Sequence, residues 1–82
     1  MMRVRALLFA SHRDMAGSDS IDLDLQDGAT VSDLVAALRS RGGPWTDLPE
    51  GTAVAVNHRY ASHDLALSET DEVALIPPVA GG

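Results

Sequence analysis

The residues best placed to do chemistry carry no side chain. Gly81 and Gly82 follow the stretch Leu75-Ile76-Pro77-Pro78-Val79-Ala80. Without a Cβ, two successive glycines form a narrow thread ending in an unhindered carboxylate. Such a thread can enter a partner's active site that excludes any bulkier tail. The chemistry is therefore expected at the main-chain terminus of Gly82. A free α-carboxylate has a pKa of about 3.5 and is a poor electrophile once ionised. It needs activation, yet the chain has no GxxxxGK[ST] loop and no lysine to neutralise phosphates. An ATP site must then belong to a partner. Pro77 and Pro78 stiffen the root of the thread, so less entropy is lost when it is inserted.

The other candidates are weaker. There is no cysteine, which excludes disulfides, thiolate zinc sites, a catalytic thiol and a side-chain persulfide. All six basic residues are arginine, so copies of this chain cannot be linked through lysine. His58 and His63 fall in loops without the carboxylate or imidazole spacing of a zinc site. Ser62-His63-Asp64 spells a triad in sequence, but consecutive residues cannot adopt triad geometry. Trp45 reads as a lid over a helix end. Arg13 and Arg59 either reach carboxylates of a partner or solvate loops. Asp71 and Glu72 either meet basic groups of a partner or shape the turn before the last strand.

Eighty-two residues with a formal charge of −6 make one small domain with a modest core. Nucleic-acid binding needs clustered positive charge, and anionic membranes attract the same; neither partner is expected. A partner with a basic face suits this balance. No apolar run approaches the roughly 18 residues that span a bilayer, and Ala6–Ala10 is too short for a signal sequence. The expected location is the cytoplasm.

These features need a scaffold. Arg3–Ala10 reads as a first strand, with Val4, Ala6, Leu8 and Ala10 on one face and Arg3, Arg5, Leu7 and Phe9 on the other. Ser11–Ser20, polar and holding Gly17, reads as a connecting loop. Ile21, Leu23 and Leu25 alternate with Asp22, Asp24 and Gln26 in the clearest strand signal of the chain. Thr30 is placed to cap a helix, with Asp33 as its capping-box partner. Val31, Leu34, Val35 and Leu38 form the apolar stripe, and Gly42-Gly43-Pro44 ends the helix. Trp45–Gly51 reads as a loop and Thr52–Val56 as an interior strand. Asn57 suits a turn into Tyr60-Ala61. Leu65 and Leu67 are expected anchors, and Glu72–Ile76 is the last strand, ended by Pro77-Pro78. The order β-β-α-β-β predicts an α+β fold: a mixed sheet with one main helix packed on one face, as in the β-grasp (ubiquitin-like) fold. Residues 1–76 would form this domain and 77–82 an extended flexible tail.

Val54-Ala55-Val56-Asn57, Asp64-x-x-Leu67 and above all Asp71–Gly82 resemble the MoaD family, the small subunits of molybdopterin synthase. Leu8-Phe9-Ala10, Arg13-Asp14-x-x-Gly17 and Gly28-Ala29-Thr30-Val31-x-Asp33-Leu34 also match. Thr70 stands where the family usually has glycine, which alters a turn and not the chemistry. The resemblance implies a sulfur carrier that is not catalytic alone. An E1-like adenylyltransferase would use ATP and Mg²⁺ to convert Gly82 to an acyl-adenylate, and a sulfurtransferase would supply the sulfur of a thiocarboxylate. The tail (Pro77, Pro78, Val79, Ala80, Gly81) would then enter the large synthase subunit, which turns cyclic pyranopterin monophosphate into the molybdopterin dithiolene. The family's usual assembly is a heterotetramer, with small subunits at both ends of a large-subunit dimer. No cofactor is expected to be bound by the carrier itself.

A docking face should accompany the tail. If Val73 and Leu75 face the helix, Ile76 points outward, and Phe9, Tyr60 and Ile76 are expected to form an exposed apolar patch; matching positions in the family contact partner enzymes. Two rival readings share the fold: a sulfur carrier for thiamin or cysteine biosynthesis, and a ubiquitin-like modifier joined to target lysines through Gly82.

Overall fold

The computed structural model describes residues 1–78. The chain runs β1 (Met2–Leu7), α1 (Ala10–Ala16), β2 (Ser20–Leu25), α2 (Val31–Arg39), a 3-10 turn (Gly43–Asp47), β3 (Ala53–Val56), β4 (Arg59–Tyr60) and β5 (Val73–Ile76). The five strands form one sheet in the order β2-β1-β5-β3-β4. β1 pairs antiparallel with β2 and parallel with β5, while β3 lies antiparallel to both β5 and β4. The sheet is mixed and β5 is its centre. This is the expected β-grasp architecture with one more strand and one more helix.

Side-chain alternation decides which face is buried. Met2, Val4 and Ala6 of β1, Leu23 and Leu25 of β2, Val54 and Val56 of β3, and Val73 and Leu75 of β5 all point into the core. There they meet the α2 stripe of Val31, Leu34, Val35 and Leu38. Helix α2 begins as its sequence dictates: the Thr30 hydroxyl accepts from the Asp33 N–H, and the Asp33 carboxylate accepts from the Thr30 N–H. Trp45 is buried on the turn that follows the helix, consistent with its reading as a lid.

Three expectations are corrected. Ala10–Ala16 is a seven-residue helix, not part of a strand and loop. Its inward residues are His12, buried, and Met15 and Ala16, partly buried against the core, spaced i, i+3 and i+4. Gly17, with φ 69°, closes it by donating its N–H to the Arg13 carbonyl, the usual glycine C-terminal device. The second correction is Arg59–Tyr60, a short strand. Asn57 and His58, with φ of 53° and 71°, make the two-residue turn that joins it to β3, as hairpins favour. Third, Leu65 is exposed, whereas Leu67 is buried. The 63–67 segment is held instead by its backbone: Leu65 and His63 carbonyls accept from the first N–H groups of α2, and Leu67 donates to Ala29.

Candidate docking surface

The sheet face opposite the helices has two unlike halves. On the β2–β1 half, Arg3 stands opposite Asp24 and Arg5 opposite Asp22, with Nε–Oδ1 distances of 3.2 and 3.0 Å. The Arg5 guanidinium hydrogen-bonded to Asp22 holds that carboxyl below its ordinary range. On the other half the register lines up Leu7, Ala74, Ala55 and Tyr60 across four strands. Two alanines in the middle of that row leave a depression. Leu7, Phe9, Tyr60 and Ile76 frame it, enclosing a shallow cavity of about 340 Å³.

The structure thus brings Phe9, Tyr60 and Ile76 to one hollow. Phe9 is 48% and Tyr60 78% exposed, and Ile76 is half-buried. Phe9 is not on a strand: it is the residue that caps α1, so the new helix sets its position. Val73 and Leu75 face the core and Ile76 faces out, the alternation that was expected. The polar rim is His58, whose Nε2 lies 3.0 Å from a Glu72 carboxylate oxygen.

The remaining candidates lie elsewhere. Arg13 is in the last turn of α1 and Arg59 on β4; neither lines the hollow. The Asp71 carboxylate accepts from Asn57 Nδ2 and from the Ser68 N–H, and the Glu72 N–H donates to Asn57 Oδ1. These residues therefore build the turn before β5. The His63 ring donates to the Thr52 carbonyl at 3.0 Å, a structural bond and not a triad. Among the described residues no group of three or more histidine, aspartate or glutamate side chains could hold a metal ion.

β5 ends at Ile76, and Pro77 and Pro78 leave it directly beside the hollow. They form part of a second cavity of about 350 Å³, with Tyr60 and Ile76 as walls common to both. Val79, Ala80, Gly81 and Gly82 lie outside the described residues. The second cavity also contains His12, which the polar Ser11–Ser20 pattern places in a loop. The signal that finds it is the spacing of His12, Met15 and Ala16 ahead of Gly17.

Residues 6–82 match the model of the ThiS family. The chain belongs to that family. A Dictyostelium discoideum relative, the molybdopterin synthase sulfur carrier subunit, is 37% identical over 95% of this chain and 94% of its own length. Two solved structures extend the likeness. A candidate molybdopterin converting factor subunit 1 from Pyrococcus furiosus is 31% identical, with TM-score 0.82 over 96% of this chain and all of its own. The small archaeal modifier protein 1 of Haloferax volcanii is 32% identical, with TM-score 0.75 over 96% of this chain and 100% of its own. For this ThiS-family chain, no helix among the described residues is long and apolar enough to cross a membrane.

Proposed function

We propose that this chain is the sulfur carrier subunit of a molybdopterin synthase, working in the cytoplasm with the large synthase subunit. The observation that carries the reading is the apolar hollow at the end of β5, the strand that launches Pro77–Gly82. Exposed apolar surface of this kind marks an interface. Its position means that a protein gripping the hollow also receives the tail. The name of the Dictyostelium relative, a subunit of that synthase, supports the choice of partner.

The chemistry follows from the residues. With no cysteine in the chain, sulfur rides on the Gly82 carbonyl. A partner adenylyltransferase joins the Gly82 carboxylate to AMP from ATP, releasing pyrophosphate. The terminal sulfur of a donor persulfide attacks the acyl carbon and AMP leaves. Reductive cleavage of the S–S bond by a thiol frees the thiocarboxylate. Docked in the large subunit, this soft nucleophile bonds through its sulfur to cyclic pyranopterin monophosphate; water then cleaves the acyl–sulfur bond, leaving the sulfur on the pterin and returning the carrier as the carboxylate.

Intact mass spectrometry of the full chain, purified from cells containing its sulfur machinery, tests the carrier step. Exchange of one oxygen for sulfur at Gly82 is the expected result. A second reading is favoured by the likeness to the archaeal modifier protein. Protein adducts through Gly82, with no thiocarboxylate species, would decide for that reading instead.

A further inference from the structure

The second cavity, on the far side of Ile76 from the hollow, has properties that the sulfur chemistry does not use. His12, Pro49, Thr52, Tyr60, Pro77 and Pro78 make up most of its wall. Among the described residues, no acidic or basic side chain lines it apart from the imidazole. The prolines offer no N–H, and the Thr52 hydroxyl is committed to the Pro49 carbonyl. His12 is only 4% exposed, and its Nδ1 has no hydrogen-bond partner among the described residues. Trp45 stands behind it, ring centroids 6.3 Å apart.

A neutral imidazole carries one N–H. On Nδ1 that hydrogen would be a sealed donor without an acceptor, which is rarer and more costly than a bare lone pair. The proton belongs on Nε2, and the ring stays neutral because burial disfavours its charged form. The cavity therefore presents a largely apolar wall with two unspent donors, His12 Nε2 at its buried side and the Tyr60 hydroxyl at its exposed side. A charged side chain would find no counter-charge there. A carboxylate would also be repelled by a chain of net charge −6.

We infer that this cavity is a second docking pocket, which takes an apolar side chain from an uncharged segment of the protein that receives the tail, with a main-chain carbonyl of that segment accepting from His12 Nε2. The inference rests on the carrier reading above, because it assigns the occupant to the tail's recipient. The walls shared by Tyr60 and Ile76 make the two cavities one continuous surface with Pro77 and Pro78 at its edge. The hollow supplies apolar area. The His12 pocket reads one hydrogen-bond acceptor and so discriminates among partners.

The test is calorimetric titration of the full chain with the molybdopterin synthase large subunit of the same organism. Ala53 lines the second cavity and not the hollow, whereas Ala55 lines the hollow and not the second cavity. Ala53→Phe plugs the pocket and should weaken binding about tenfold or more. His12→Leu should weaken it several-fold, and His12→Gln, which keeps a donor, should recover part of the loss. In the complex, the His12 Nε2–H signal of labelled protein should shift. Unchanged affinity of Ala53→Phe alongside a weakened Ala55→Phe overturns the pocket and leaves the carrier reading standing. Equal affinity of folded His12→Leu and the natural chain overturns the hydrogen bond. Where His12→Leu does not fold, Ala53→Phe and the Nε2–H shift decide. No binding by the natural chain overturns the carrier reading itself.

Discussion

The two halves of the exposed sheet face are built from the same pleat and differ in what their outward residues do for one another. On β1 and β2 each arginine faces an aspartate directly across the ladder, so the charges satisfy each other and leave nothing for a partner. On β5, β3 and β4 the outward positions include alanines framed by larger apolar groups, and nothing among the described residues covers them. Facing solvent thus has opposite meanings on the two halves. One half is finished surface, and the other is the half we propose as an interface. Pro77 leaves the sheet from the unfinished half, which ties the surface to the tail.

Adjacent residues on β5 give the sharpest way to break this comparison. Leu75 is fully buried, so Leu75→Ala should cost about 2–5 kcal/mol of folding stability, read from urea unfolding. Ile76 stands on the other face, so Ile76→Asp should leave the fold intact by circular dichroism. Its effect should be on affinity for the large subunit, a loss of about 2 kcal/mol, or roughly thirtyfold. An unfolded Ile76→Asp would show that the hollow is core and not interface.

His12 gives a pH-dependent effect of smaller size. Burial lowers its pKa from 6.5, so the unfolded chain binds the proton more readily than the native one. This contribution to stability is complete above about 6.5 and is lost as pH falls towards the lowered native value. Thermal unfolding from neutral to mildly acidic pH should show the loss, and His12→Gln should reduce it. The smallest effect is expected on the finished half. Arg5→Ala should not change affinity for the large subunit, and its small effect on melting temperature should shrink as salt screens the pair in the natural chain. A large loss of binding from Arg5→Ala would erase the distinction between the halves.

Sequence pattern revealed the elements whose signals are local. The α2 stripe with its Thr30–Asp33 cap, the β2 alternation and the Val73/Leu75 against Ile76 split on β5 all followed from periodicity and capping chemistry. Helix α1 escaped because its inward stripe uses a histidine where a leucine would have declared it. β4 escaped because two residues carry no period; only its pairing with β3 makes it a strand. Leu65 misled because apolarity alone does not say that a side chain is buried. On the surface, face assignment reaches Ile76; Tyr60 follows from its place after the Asn57 turn, and Phe9, expected on a strand, reaches the hollow from the cap of α1. The His12 pocket needed α1, the 49–52 segment and the end of β5 to meet, contacts that no local pattern encodes.

The most direct test is reconstitution of the sulfur transfer. Purified chain bearing a Gly82 thiocarboxylate is mixed with the large subunit and cyclic pyranopterin monophosphate, and the dithiolene product is assayed after oxidation to a fluorescent derivative. The account predicts product formed in step with consumption of the thiocarboxylate and none from the unmodified carboxylate form. A thiocarboxylate that binds the large subunit yet yields no dithiolene would contradict it.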